Sequence, residues 1–136
     1  MLNSLIEQVC AELRSFGVTP VYSAFDAKPV TRKYGGICTF VGIESFGSTA
    51  PVYSPFIVYI PFSSEISIKV TAPPDCPLEK LYGYYTEKVA AAVGELSGLS
   101  CRLKKLTVRY DSNICRLVLT ALLEAEGITR IERGIE

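Results

Sequence analysis

Apolar residues recur along this chain with two periods, and the switches between them mark out its elements. Leu5, Ile6, Val9, Cys10 and Leu13 fall three and four apart with Glu7, Gln8, Glu12 and Arg14 between them, which predicts an amphipathic helix over residues 4–16. Ser4-Leu5-Ile6-Glu7 has the form of a capping box, whose hydroxyl and carboxylate satisfy the first free amides of a helix. Gly17 is placed to end it in the left-handed C-cap conformation. Residues 18–25 are β-branched and aromatic but interrupted by Pro20, so they read as an edge strand or an extended lead-in. Residues 26–36, with Lys28, Pro29, Arg32, Lys33 and two glycines, have the character of an exposed loop. Residues 37–46 follow as a strand whose alternating sets are both largely apolar, which predicts a central position with both faces covered. Residues 47–55 are a second turn-rich loop.

From residue 56 to residue 72 the alternation returns, clearest at Ile66, Ile68 and Val70 against Ser67, Lys69 and Thr71. Pro61 predicts a break or bulge near its middle, because a missing amide cannot join a ladder on both sides. Pro73-Pro74-Asp75-Cys76-Pro77 stops the strand and opens a helix, with Pro77 in the first turn. Leu78, Leu81, Tyr82, Tyr85, Val89, Ala92 and Leu96 supply its apolar face, with Tyr84 flanking it. After Ser97-Gly98, residues 101–110 alternate Leu106, Val108 and Tyr110 with Lys105, Thr107 and Arg109. Asp111-Ser112-Asn113 is a turn of residues that bond their own backbone, and residues 114–123 return as a long apolar strand. Residues 124–136 read as a polar C-terminal tail. The order predicts one α+β domain over residues 1–136: a mainly antiparallel sheet of four to five strands with two helices packed on one face.

Composition narrows the function classes. With 136 residues, 49% apolar and 21% charged, the chain is long enough and apolar enough for one core. Lys plus Arg and Asp plus Glu balance at 14 each, so no global field draws it to nucleic acid or to an acidic membrane, and neutrality weakly favours association. Charges interrupt the first dozen residues before any signal or membrane span forms, which predicts a cytoplasmic protein. Cys10, Cys38, Cys76, Cys101 and Cys115 are odd in number and contain no Cys-x-x-Cys pair, so free, mostly buried thiols are expected. Histidine is absent, which removes His-dependent nucleophile triads, His-ligated zinc and imidazole acid–base catalysis from this chain.

Candidate chemistry is correspondingly thin. Cys76 stands where a helix begins, where unpaired amides stabilise a thiolate, yet no imidazole exists to serve as its base, and a capping or packing role is the simpler reading. Gly35-Gly36 and the Gly42/Gly47 spacing match no phosphate-binding loop. Asp26, Glu44, Glu65, Asp75, Glu79 and Asp111 form no acid–base pair or calcium loop, so neither metal nor cofactor is expected. The basic groupings, Lys28/Arg32/Lys33 and Arg102/Lys104/Lys105/Arg109, favour nucleic acid only if they converge; alternation along a strand is more simply a solvent face. What is left is aromatic: Phe46, Tyr53, Phe56, Tyr59 and Phe62 cluster around a loop with two prolines. Large rings on an exposed loop need a covering surface, so these five, with Lys28, Arg32 and Lys33, are the candidate protein interface, set against packing within the chain. A hairpin protruding from the sheet accommodates both.

The layout resembles the tail-terminator, or minor tail (tail-completion), proteins of long-tailed bacteriophages and phage-like elements. The resemblance is carried by the helix over residues 4–16, the strands around the 47–55 loop and the helix entered through Ala72-Pro73-Pro74-Asp75-Cys76-Pro77-Leu78-Glu79-Lys80-Leu81-Tyr82. It continues in Val108-Arg109-Tyr110-Asp111 and Arg116-Leu117-Val118-Leu119-Thr120, and so spans nearly the whole chain by element order and length. It implies a virion-assembly protein without catalytic residues, forming a ring of itself, six copies being the expected number, that caps the tail tube and docks head-completion proteins. The polar tail is longer than that pattern needs. Two other classes compete: a small-ligand or regulatory binding domain using Tyr82, Tyr84 and Tyr85 as a pocket wall, and a thiol-dependent enzyme centred on Cys76.

Overall fold

Helix α1 (Leu2–Ser15) buries Leu5, Ile6, Val9, Cys10 and Leu13, the stripe its spacing predicts. It begins before Ser4, which therefore lies exposed inside the first turn and does not cap the helix. Its end is as read from the sequence. Gly17 takes φ 85°, its amide donates to the Arg14 carbonyl at 3.0 Å, and the Val18 amide donates to the Leu13 carbonyl at 3.0 Å. These two bonds are the Schellman pair that satisfies the last carbonyls of a helix. The computed structural model describes residues 2–23 and 35–132, and the basic loop residues Lys28, Arg32 and Lys33 lie outside them.

The second helical segment starts at α2 (Leu78–Tyr84), one residue after Pro77, whose carbonyl accepts from the Lys80 and Leu81 amides at 3.1 and 3.2 Å. It runs on through a π-helical stretch (Tyr85–Ala90) into a last α-helical turn, α3 (Ala91–Gly94). Leu81, Val89 and Ala92 are its buried residues. The three-and-four spacing of the sequence does not distinguish this π-helical stretch from a continuous α-helix.

Six strands form one sheet in the order β1-β2-β4-β6-β5, with β3 beside β4. They are β1 (Val21–Ser23), β2 (Cys38–Ser48), β3 (Val52–Tyr53), β4 (Ile57–Ala72), β5 (Leu99–Asp111) and β6 (Arg116–Glu132). The fold is α+β as expected, but the sheet is mixed: β1 pairs parallel to β2, while the other four pairings are antiparallel. Three expectations are corrected. Residues 124–132 belong to β6 and are not a polar tail, because Glu124, Glu126, Arg130 and Glu132 alternate with residues of the opposite face in an unbroken ladder to β4. Within the 47–55 loop, Gly47 and Ser48 complete β2 and Val52–Tyr53 pairs with β4. Pro61 does not break β4: its carbonyl accepts from the Thr49 amide at 3.0 Å on the side where β2 has just ended, so the missing amide falls where no ladder continues.

Bulges occur elsewhere, at Glu44 in β2 and Lys104 in β5, as register shifts between Ile43/Ser45 and Leu103/Lys105. Both flank one row of the sheet, Ile43–Ile66–Leu123–Leu103. On the helix side of the sheet Val41, Ile66, Ile68, Val70, Leu119, Ala121, Leu123 and Ala125 join the α1 and α2–α3 residues in one core. Each large aliphatic among them contributes roughly 1.5–3 kcal/mol on burial. The other side presents Lys69, Thr107, Lys105 and Arg109 to solvent. At its start, Arg116 is fully buried, donating from Nε to Thr71 Oγ1 at 3.2 Å and from Nη2 to the Thr71 carbonyl at 3.1 Å and the Gly36 carbonyl. That guanidinium ties β6, β4 and the entry to β2 together.

Candidate functional site: an apolar β-arm

The core stops well before β4 and β6 do. None of residues 57–61 or 128–132 belongs to the core cluster, yet the two strands remain paired row by row from Ala72↔Leu117 to Ile57↔Glu132. The paired segment beyond Phe62 is about 15–20 Å long at the usual rise per residue. We refer to it, with β3 alongside, as the arm. Both of its faces carry apolar side chains, with Arg130 and Glu132 interspersed on one of them. Val58, Ile60, Ile131 and Tyr53 share one, and Val52, Ile57, Tyr59, Pro61 and Ile128 share the other. A β-ribbon in water ordinarily keeps one face polar, because only one side packs on a core.

The arm divides the five predicted aromatic residues. Phe46 and Phe62 stack on each other at 5.3 Å between centroids, on the helix side, and Phe62 packs against the core. Those two rings are half-buried within the chain. Tyr53 and Phe56 stand 66% and 58% exposed at the distal end, where Ser54 closes the turn by accepting the Ile57 amide at 3.1 Å and donating to its carbonyl at 2.8 Å. Tyr59 is half-buried, with the Arg130 guanidinium 5.8 Å above its ring. Val52, Ile128 and Ile131 complete the exposed set, at 57%, 62% and 48%. Sequence reading missed Ile128 and Ile131 because they sit in the stretch taken as a polar tail; the alternation of Glu124, Glu126 and Arg130 with Leu123, Ala125 and Ile131 was the signal for a strand.

The margins of the arm differ. On the β4 side, the two-residue β3 is flanked by Pro51 and Pro55. Short strands and prolines are the usual means of closing a sheet edge to further pairing. On the β6 side, β5 starts at Leu99 opposite Gly127, so among the described residues no strand runs along β6 beyond that row. A cleft of about 910 Å³ opens there, lined by Pro61, Phe62, Gly98, Leu99, Gly127 and Ile128 among others. Nearer the core, β5 is itself an edge strand, with Leu103, Leu106 and Tyr110 exposed on its helix side.

Polar chemistry is sparse and superficial. Arg102 pairs with Glu124, and Lys104 Nζ bridges Glu65 at 2.8 Å and Glu124 at 3.9 Å, all on the open face. The hydrogen bond and charge of Arg102 hold the Glu124 carboxyl below its usual range, while Glu124 and Glu65 push the Arg102 and Lys104 groups up. Burial pushes the Cys10, Cys38 and Cys101 thiols up, which disfavours their thiolates. Cys76 is half-buried against the core, with its Sγ 3.6 Å from the Pro77 carbonyl and no capping bond to α2. Tyr82 is exposed, Tyr84 lies under the Lys88 ammonium at 5.0 Å, and Tyr85 packs on the core, where burial raises its hydroxyl pKa. A cleft of about 620 Å³ runs past Tyr84, lined by Gly35, Gly36, Asp75, Cys76, Lys80 and Lys88 among others. Among the described residues, no group of three or more His, Cys, Asp or Glu converges to hold a metal, and no helix is long and apolar enough to cross a membrane.

No family model matches this sequence, and no curated protein matches it at a significant level. Solved structures that overlap it loosely include two of one protein. One is the type 4 fimbrial biogenesis protein PilO from Pseudomonas aeruginosa, 12% identical with a TM-score of 0.33, covering 97% of this chain and 69% of that one. The other is the core region of PilO from the type IV pilus system of the same organism, 14% identical with a TM-score of 0.26, covering 71% and 84%. Likeness at this level carries no argument about function.

Proposed function

We propose that this chain is a structural assembly subunit, without catalysis of its own, whose β-arm is covered by neighbouring protein chains. The observation that carries this reading is the apolar side chains on both faces of the arm, with Val52, Tyr53, Phe56, Ile128 and Ile131 all exposed. Covering five such side chains is worth on the order of 5–10 kcal/mol before the entropic costs of association are subtracted. That is enough to hold a complex together, and it is a large unused potential in a lone molecule. The finer reading follows from the resemblance to phage tail-completion proteins: a ring of copies on the end of a tail tube, with head-completion proteins on its other side. The formal charge of zero fits close packing of copies.

Sedimentation equilibrium over a wide concentration range tests it. The expected result is a mass rising above the 14.9 kDa monomer, toward six times that value for the ring, alone or with tube protein present. Tyr53→Ser with Phe56→Ser removes two exposed rings and is expected to return the mass to the monomer with the circular dichroism unchanged. A monomer under every condition argues against the proposal.

The cleft beside Tyr84 favours a second reading, a small-ligand domain for an anionic molecule held by Lys80 and Lys88. Thermal shifts against a panel of phosphorylated and carboxylated metabolites separate it from the first. A specific shift lost in Lys88→Ala supports it.

A further inference from the structure

The face of the sheet that the helices leave open carries cations with no acid paired to them. Of the four basic residues on β5, Arg102 and Lys104 are taken up by Glu124 and Glu65. Lys105 and Arg109 are not, and neither is Lys69 on β4: among the described residues no carboxylate pairs with any of the three. Strand register sets these cations around a common point. Lys69, Thr120 and Thr107 stand side by side in one row across β4, β6 and β5. Lys105 and Arg109 lie two residues to either side of Thr107 on the same face, each about 7 Å from it along the strand. All three cations are exposed, and they line a depression of about 610 Å³ whose deeper wall holds Ser67, Thr120 and Leu122. Glu44 and Glu65 border it on one side, and the Lys104 ammonium already bridges Glu65.

The same row runs on into aromatic surface. Beside Lys69 comes Phe40 on β2 and then Tyr22 on β1, with ring centroids 5.6 Å apart and planes tilted by 31°. Their strand neighbours Val21 and Val41 face the core, so these two rings lie on the open side. Tyr22 is 37% exposed and Phe40 is half-buried. From Tyr22 to Thr107 the row crosses all five strands of the main sheet path, a span of about 19 Å at the usual strand spacing.

We infer that this open face binds single-stranded nucleic acid without regard to sequence. Lys69, Lys105 and Arg109 hold phosphates over Thr107 and Thr120, and a neighbouring base lies against the Tyr22 and Phe40 rings. The phosphodiester chain supplies the anions that the three cations lack, and threonine hydroxyls donate to phosphate oxygens. Lys105 and Arg109 are four residues apart on β5, about 13 Å, a separation that suits successive phosphates better than one. Every base has a flat π-face, so stacking on an aromatic ring adds affinity while reading no sequence. An acidic peptide meets the cations but leaves the rings without a partner, and a duplex keeps its bases stacked on each other, away from them. The chain's formal charge of zero does not oppose this, because fields at physiological salt reach only about 8 Å and the local excess decides. Basic residues do converge here, and the cation that completes the group, Lys69, comes from a strand outside the β5 run. The site stands apart from the arm and does not depend on it.

Fluorescence anisotropy of end-labelled oligothymidylate and oligouridylate, each about 12 nucleotides long, tests the inference from low salt upward. Affinity is expected to fall about a hundredfold per tenfold rise in salt, the single-strand slope for three neutralised phosphates. Lys69→Ala and Arg109→Ala are each expected to weaken binding and to lower that slope by about a third. Tyr22→Ala is expected to weaken binding about fivefold or more and to leave the slope unchanged. All three positions are exposed, and circular dichroism checks that each variant is folded. Inorganic polyphosphate of similar length is expected to bind more weakly and to be indifferent to Tyr22→Ala. Absence of binding at low salt, or binding that Lys69→Ala combined with Arg109→Ala leaves unchanged, overturns the site. Polyphosphate bound as tightly as the oligonucleotides overturns the assignment to nucleic acid, because a bare anionic chain makes no use of the rings.

Discussion

The ring of Phe62 lies over the α-carbon of Gly127. A methyl group built there would sit 2.7 Å from Phe62 Cζ and 3.0 Å from Leu99 Cδ2, so glycine is required for the three strands to cross this row. The ring closes the core at the root of the arm, taking the place of the side chain that glycine lacks. Gly127→Ala is expected to destabilise the fold by about 1–3 kcal/mol through overpacking. Combined with Phe62→Ala it is expected to cost less than the two single losses added together, because the clash disappears with the ring. Urea denaturation of the three variants checks this; strict additivity contradicts it.

Arg116 is a buried cation used as a tie. Its guanidinium reaches the Thr71 hydroxyl, the Thr71 carbonyl and the Gly36 carbonyl at once. A lysine ammonium has no planar fork with which to span β4 and the entry to β2, so Arg116→Lys is expected to lose about 2–4 kcal/mol despite keeping the charge. Guanidinium chloride titration measures the loss, and a stability within about 0.5 kcal/mol of wild type contradicts the role.

Both features bear on what the sequence discloses. The 3.6-residue stripe of α1 and the two-residue alternation around Ile66–Val70 were readable because each is buried on one face against a single core, the condition under which period and position coincide. Gly17 was readable because its role is local. The parallel pairing of β1 with β2 was not, since β1 is three residues long and its partner is fixed by tertiary contacts and by the Pro20 carbonyl accepting from Thr39. The distal half of β6 was misread for a different reason. Glu124, Glu126, Arg130 and Glu132 face solvent on the open side of the sheet, and on that face a strand has the composition of a tail. Within the aromatic cluster the spacing of the sequence did not separate Tyr53 and Phe56, which are exposed, from Phe46 and Phe62, which find each other across β2 and β4.

The ion pairs on the open face predict a modest pH dependence with a definite sign. Glu124 binds its proton less readily in the folded chain than in the unfolded one, chiefly through its hydrogen bond to Arg102. Its contribution is therefore present above the ordinary carboxylate pKa and is lost as pH falls through the lowered folded value. Glu124→Gln is expected to lower the denaturation midpoint slightly at pH 7, with no difference from wild type below about pH 3. Because the pair is exposed, about 1 M salt is expected to remove most of the difference at pH 7 as well. A difference that grows on acidification contradicts this assignment.

Native-state hydrogen exchange, followed residue by residue in dilute and in concentrated protein, addresses the arm directly. Amides of Ile57, Tyr59 and Ile60 in β4 and of Ile128 and Ile131 in β6 are expected to gain protection as concentration rises, while those of Ile68, Val70 and Leu119 in the core stay as they are. Equal protection of the arm at every concentration would contradict the claim that another protein surface covers it.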